Sequence, residues 1–313
     1  MIPRSFYGLT SSAPISWSSR LLLAGILAAS FSLPARAQNE DVIRFNVDLV
    51  TVNIAVKDGK GRSLPGLKPQ DFSITDENSP VIPQFFDSEG PASIVFVVDT
   101  SSSMGGSKWK SLIAGLKDAL KSASDGNDYT LIAFSDSPQL LAKSVSASQL
   151  LNLLRELKPS GNTALYDGMV LGLDFLKQGP QRHKALVLIS DGEDTVSRLS
   201  LADVEKEASG CRSTIYSIGI LLKEYCNHHR NQKTCVGQDT ISELAKVTGG
   251  LAYFPKPEQL LPVLKEISSD VRSQYSLSYY PPDKRLGWRE VRVAIAQTER
   301  RPNLRYQQRY LMR

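Results

Sequence analysis

From residue 94 onward, continuous apolar runs alternate with segments of helical periodicity. Ile94–Val98, Tyr129–Phe134, Ala185–Ile189 and Thr214–Ile220 are unbroken or nearly unbroken runs, as in strands buried on both faces of a parallel sheet. Between them, Trp109, Leu112, Ile113, Leu116 and Leu120 fall on one helical face, as do Leu150, Leu151, Leu154 and Leu157. Leu165, Met169, Leu173 and Leu176 mark a third helix, and Leu260, Leu264, Ile267 and Val271 a last one. Shorter helices are predicted from the capping-box-like Ser200–Asp203 through Ala208, and near Thr240–Val247, where Gly249-Gly250 stops the pattern. Leu140–Val145 reads as an edge hairpin strand and Leu251–Phe254 as a short strand. This alternation predicts an α/β fold with a doubly wound, mostly parallel six-stranded sheet.

The flanks follow a different rule. Apolar residues alternate from Val42 to Val56, with a phase slip between Leu49 and Val50 that predicts a bulge or a crossing between sheets. After the turn signal Asp58-Gly59-Lys60-Gly61, Phe72–Thr75 and Val81–Phe86 read as short strands separated by Asp76–Pro80. The far end returns to β patterns at Tyr275–Tyr280, Val291–Ile295 and Tyr306–Leu311, broken by Pro281-Pro282. The early strands are too few to stand alone and need the late ones as partners.

Composition changes the picture at the N-terminus. Arg4 and Arg20 precede an apolar stretch from Leu21 to Leu33, and Ala35-Arg36-Ala37 supplies small residues for cleavage. Residues 1–37 are therefore read as a signal peptide; the stretch is short for a membrane span. Cleavage leaves 276 residues and lowers the formal net charge from +5 to +2, which predicts a periplasmic or secreted protein with no transmembrane segment. The remaining charge is uneven, with nine Lys/Arg against three Asp/Glu in residues 283–313. Those charges lie within strand-like sequence and read as a solvated strand face, and export argues against a nucleic-acid partner.

Three cysteines occur, Cys211, Cys226 and Cys235. An oxidising compartment favours a Cys226–Cys235 crosslink, with Cys211 left as a buried free thiol. His228 and His229 between the pair raise zinc as an alternative, although the spacing is not a usual structural zinc spacing.

The candidate chemistry lies at the ends of the apolar runs. The first ends on Asp99, with Ser101 and Ser103 at fixed steps; Thr163 opens the third helix; the run at Ala185 ends on Asp191. Residues just past the carboxyl ends of neighbouring parallel strands share one crevice, so these five side chains can converge. They form a set of hard oxygens without imidazole or thiolate. Mg²⁺ suits such a set best, with Mn²⁺ or Ca²⁺ as substitutes, and the neutral serines leave the ion able to take a further carboxylate. Asp167, Glu193 and Asp194 lie nearby and are read as solvated or helix-capping acids. A serine nucleophile lacks a readable histidine partner, and Asp99 as a phosphoryl acceptor is the stronger catalytic alternative. A metal that only fixes loops in an envelope scaffold is the other.

These segments resemble the von Willebrand factor type A domain. Its metal-ion-dependent adhesion site uses Asp-x-Ser-x-Ser, a threonine and an aspartate in the order filled here by Asp99, Ser101, Ser103, Thr163 and Asp191. The resemblance covers roughly residues 91–272. It implies a non-enzymatic adhesion module that captures an Asp or Glu side chain of a protein partner through the ion. The flanks resemble a bacterial subgroup: Leu67, Asp71 and Phe72 match its Leu-x-x-x-Asp-Phe pattern, and Tyr275–Pro281 its Tyr-rich strand. Residues 38–90 and 273–313 are thus expected to pair into one β-sandwich-like domain, with the A domain inserted between them.

Overall fold

The computed structural model describes residues 49–121, 126–211, 213–221, 226–229, 232–235, 237–256, 259–295 and 302–313. The predicted signal peptide and the first half of the 42–56 strand lie outside the described residues. β1 (Val50–Lys57), β2 (Phe72–Asp76), β3 (Ser79–Val81) and β4 (Phe85–Ser88) come first. The chain then runs through β5 (Ala92–Asp99), α1 (Ser107–Lys121), β6 (Asp128–Phe134), β7 (Pro138–Val145), α2 (Ala147–Glu156) and α3 (Leu165–Lys177). It continues with β8 (His183–Ser190), α4 (Leu201–Ser209), β9 (Thr214–Gly219), and the hairpin β10 (Cys226–His229) and β11 (Gln232–Cys235). α5 (Gln238–Lys246), β12 (Ala252–Tyr253) and α6 (Leu260–Arg272) follow, and β13 (Tyr275–Tyr279), β14 (Gly287–Ile295), β15 (Asn303–Arg305) and β16 (Arg309–Met312) close the order.

The expected doubly wound sheet is present. Its strand order is β12-β9-β8-β5-β6-β7, parallel throughout except for the antiparallel edge strand β7. Central β5 is buried at every position, which is why its sequence is a run rather than an alternation. Its residues alternate between two cores. Ile94, Phe96 and Val98 pack with Leu112, Leu116, Leu150, Leu154 and Leu264 of α1, α2 and α6. Val95 and Val97 pack with Met169, Leu173, Val204 and Ile241 of α3, α4 and α5. Close approach explains Gly172 in α3, where a Cβ would lie 2.5 Å from Val97 Cγ2.

The flanks pair with each other across the chain. One sheet has the order β15-β1-β13-β4 and the other β16-β14-β2-β3, with Val52 opposite Leu277 in the first and Ile74 opposite Val293 in the second. Val52, Ile54, Phe72, Ile74, Leu277, Val291 and Val293 share one core between the sheets, as in a sandwich. Residues 46–313 make one compact unit.

One predicted strand is divided in the structure and another is shortened. Residues 81–86 contribute β3 to one sheet and β4 to the other, with Ile82 and Pro83 at the crossing. Of the segment 306–311, only 309–311 are strand, in β16; residues 306–308 connect it to β15, which belongs to the other sheet. The Asp76–Pro80 turn is tighter than predicted. Asp76 pairs with Ser79, and only Glu77 and Asn78 turn, both at positive φ, as a two-residue hairpin of type I′ requires.

Two buried ionic clusters tie these layers together. Asp76, fully buried, accepts from Arg289 Nε at 2.9 Å, Tyr310 OH at 2.8 Å and Tyr279 OH at 3.2 Å. Asp270 on α6 joins the two parts of the molecule: it takes Lys57 Nζ of β1 at 2.9 Å, Tyr216 OH of β9 at 3.1 Å, and Arg305 of β15. Among the described residues, no helix is long and apolar enough to cross a membrane.

Candidate metal centre

Parallel pairing levels the strand ends. Val98 of β5 stands opposite Ile189 of β8, so Asp99 and the Ser190-Asp191 step emerge side by side at the carboxyl edge. Three loops meet there and are stitched together by backbone bonds. Thr100 N donates to Phe134 O at 2.8 Å, Ser160 N to Thr100 O at 2.7 Å, and Ser102 N to Gly161 O at 3.1 Å. Thr163 N donates to Thr195 Oγ1 at 2.9 Å while Thr195 N donates back to Thr163 O at 2.8 Å. The loop after Asp191 is held from behind, because Gly192 and Gly237, at φ +85° and +80°, lie backbone against backbone where a Cβ on either would collide.

Asp99 is fully buried. Its Oδ1 accepts from Ser101 N at 2.8 Å and its Oδ2 from Ser190 Oγ at 2.6 Å. Burial nonetheless pushes its carboxyl up from 3.8 to about 6, against those bonds from Ser101 and Ser190 and with a further push from the nearby Asp191 charge. Ser101 is buried and its Oγ lies 3.0 Å from Oγ of the exposed Ser103. Asp191 is 6% exposed. Its Oδ2 accepts from Lys108 Nζ at 3.0 Å, and among the described residues its buried Oδ1 has no hydrogen-bond partner.

The structure therefore brings Asp99, Ser101, Ser103 and Asp191 into bonding or charge contact, and buried Thr163 joins them through its loop. The neighbouring acids do other work. Asp194 Oδ1 accepts from Leu165 N at 2.8 Å at the start of α3, and Asp167 Oδ1 accepts from Leu199 N at 2.9 Å.

These residues fit a hard divalent cation. The donors are carboxylates and hydroxyls, one buried carboxylate oxygen has no partner among the described residues, and burial disfavours the charged form of the other carboxylate. Among the described residues, no group of three or more His, Cys, Asp and Glu side chains is gathered for a metal, in this crevice or elsewhere, so the crevice depends on its hydroxyls.

Two members of the crevice were not predicted, Ser190 and Lys108. A signal existed for the lysine. Lys108 precedes Leu112, Leu116 and Leu120 in steps of four, on the row that α1 buries. Ser190 is the buried last residue of β8, a strand buried at every position but Lys184, where a hydroxyl needs a partner.

A doubly wound sheet with one antiparallel edge and an aspartate-hydroxyl crevice at its carboxyl end defines an A-type domain. Residues 94–193 match the family model of the von Willebrand factor type A domain, and the chain carries a domain of that family. Inter-alpha-trypsin inhibitor heavy chain H2 of Mus musculus is 24% identical over 181 residues, covering 50% of this chain and 19% of that protein. The matched region thus spans about a fifth of that relative's length. Among solved structures, a von Willebrand factor type A protein from Catenulispora acidiphila is 12% identical, covering 86% of this chain and 75% of that one, with a TM-score of 0.49. Proximal thread matrix protein 1 from the mussel byssus, with a zinc-occupied MIDAS motif, is 16% identical over 63% of this chain and 49% of that one, with a TM-score of 0.47.

Proposed function

We propose that this protein is an exported binding module whose crevice holds a divalent cation and captures an acidic side chain of a protein partner. Asp99 and Asp191 hold the ion, directly or through water, with the hydroxyls of Ser101, Ser103 and Thr163 completing the protein's share. Mg²⁺ suits this donor set best, and Mn²⁺ or Ca²⁺ can replace it. Three of the five donors are neutral hydroxyls, so a divalent ion held by Asp99 and Asp191 would remain able to accept a further anionic oxygen. The observation that carries this reading is the pair of buried carboxylates at adjacent strand ends, one pushed up to about 6 and the other with an unpartnered oxygen. Nucleophilic chemistry on Asp99 fits less well, because both its oxygens are bonded and none of the residue is exposed. Export rests on the leader sequence at 1–37.

Thermal unfolding in Mg²⁺ against EDTA tests the ion. At a hundredfold excess over Kd, binding to the folded state stabilises it by about 2.7 kcal/mol, a rise of about 5–10 °C for a chain of this size. Asp99→Ala should abolish that rise, and a variant that kept it would remove Asp99 from the site. Capture of a protein partner from envelope extract should likewise require Mg²⁺ and be lost in EDTA.

A further inference from the structure

Lys108 is a charged residue in an unusual place. It is 8% exposed and its ammonium contacts Asp191 Oδ2 at 3.0 Å, which among the described residues is its one ion-pair partner. It lies in the first turn of α1, where the partial positive charge of the helix end disfavours a cation, and no acid occupies that turn to compensate. Asp191 is thus what holds the ammonium in the crevice. Asp191 is also the carboxylate that the proposed ion needs.

We infer that Lys108 competes with the divalent ion for Asp191 and so holds down the affinity of the crevice for metal. This rests on the metal-dependent reading above. The ammonium neutralises Asp191 in the metal-free protein, and a divalent ion must either displace it from Oδ2 or bind at Oδ1 beside a like charge. Both routes subtract from the binding free energy. A lysine suits this role because its charge sits on a flexible four-carbon stem that can swing away, whereas a planar guanidinium would grip the carboxylate with two bonds. The opposite role, a lysine that positions Asp191 for the ion, predicts the opposite sign.

Calorimetric titration with MgCl₂ decides between them, using the full chain, Lys108→Met and Lys108→Gln, with melting temperatures in EDTA and in Mg²⁺ as a second readout. Removing a charge about 3–4 Å from the metal-bearing carboxylate should tighten Mg²⁺ binding about tenfold or more. In EDTA both variants should melt lower than the parent, because Asp191 is left buried without its counter-ion, and Mg²⁺ should more than restore them. Binding by the variants that is unchanged or weaker than the parent's overturns the inference while leaving the metal site standing. Absence of Mg²⁺ binding in parent and variants alike overturns both readings. If Lys108→Met folds only in Mg²⁺, that supports the inference; if it folds in neither condition, the sign is read from Lys108→Gln.

Discussion

The sandwich and the crevice both bury aspartates, and they equip them differently. Asp76 in the sandwich accepts from Arg289, Tyr279 and Tyr310, so a full positive charge and two phenols face one carboxylate. Asp270, at the junction, takes Lys57, Arg305 and Tyr216. In the crevice, Asp99 is met by the Ser101 amide and by the hydroxyls of Ser101 and Ser190, none of them charged, and among the described residues Asp191 has one lysine and a bare oxygen. A buried carboxylate with matched cations is a structural joint, because breaking it strands a charge. One with too little positive charge around it is a place for something to bind. The same residue type, buried in each case, therefore serves two purposes, separated by how fully the surrounding groups answer its charge.

The sharpest way to break this comparison is to neutralise the sandwich carboxylate. Asp76→Asn leaves Arg289, which is 2% exposed, with Asp283 as its one acidic partner among the described residues. Loss of one partner from a buried pair costs about 3–5 kcal/mol, a fall of about 10 °C in melting temperature for a chain of this size. Urea denaturation in EDTA measures it. A loss below about 1 kcal/mol would place Asp76 in the same class as an exposed salt bridge and dissolve the distinction.

Neutralising the crevice carboxylate should have the reverse sign without metal. The carboxyl of folded Asp99 sits at about 6, above the ordinary 3.8. A raised value means the protonated form is favoured by folding, so the contribution is present below about pH 4 and is lost as pH rises through 6. Asp99→Asn escapes that loss. In EDTA the variant's advantage should be absent below about pH 4, grow between about pH 4 and 6, and be complete at pH 7.5. A gap that stays constant across the window would mean that Asp99 ionises in the folded protein as it does unfolded. In Mg²⁺ the order should reverse, since the asparagine gives up the metal-dependent gain.

What the sequence disclosed followed from periodicity and spacing. The buried run of β5 could be read because every position is covered, and the order of the five oxygen-bearing side chains could be read because strand ends in a parallel sheet share an edge. The ionic joints were hidden because charged residues read as surface. Asp76 looked like part of a turn, although it shares the inward face of β2 with Phe72 and Ile74 at a period of two. Arg289 belonged to a basic tail read as a solvated face, yet it alternates inward with Val291 and Val293. Lys108 escaped for the same reason. A charged residue in phase with a buried row is readable as buried, but its partner is set by tertiary contact and lies 83 positions away in the case of Lys108 and Asp191. The division of 81–86 and the connection at 306–308 were missed because local pattern does not say to which sheet a residue belongs.

The smallest effect is expected at the cysteines, where burial meets a group that can shed its charge. Cys211 is 3% exposed, and its Sγ donates to Leu173 O at 3.4 Å. Burial pushes its thiol up to about 11, so it stays protonated and needs no counter-ion, unlike Asp99 in a comparably dry place. The reactive form of a cysteine is the thiolate, and the native protein at pH 8 should leave Cys211 unmodified by iodoacetamide until it is unfolded. Cys226 and Cys235 stand opposite each other in the β10–β11 register, which supports the crosslink proposed for an exported chain. Alkylation under native conditions, then denaturation and a second label without reductant, should mark Cys211 alone, with the other two recovered as one linked peptide. Rapid native labelling of Cys211 would mean that burial in this layer does not suppress ionisation, and the burial argument for Asp99 would lose its simplest control.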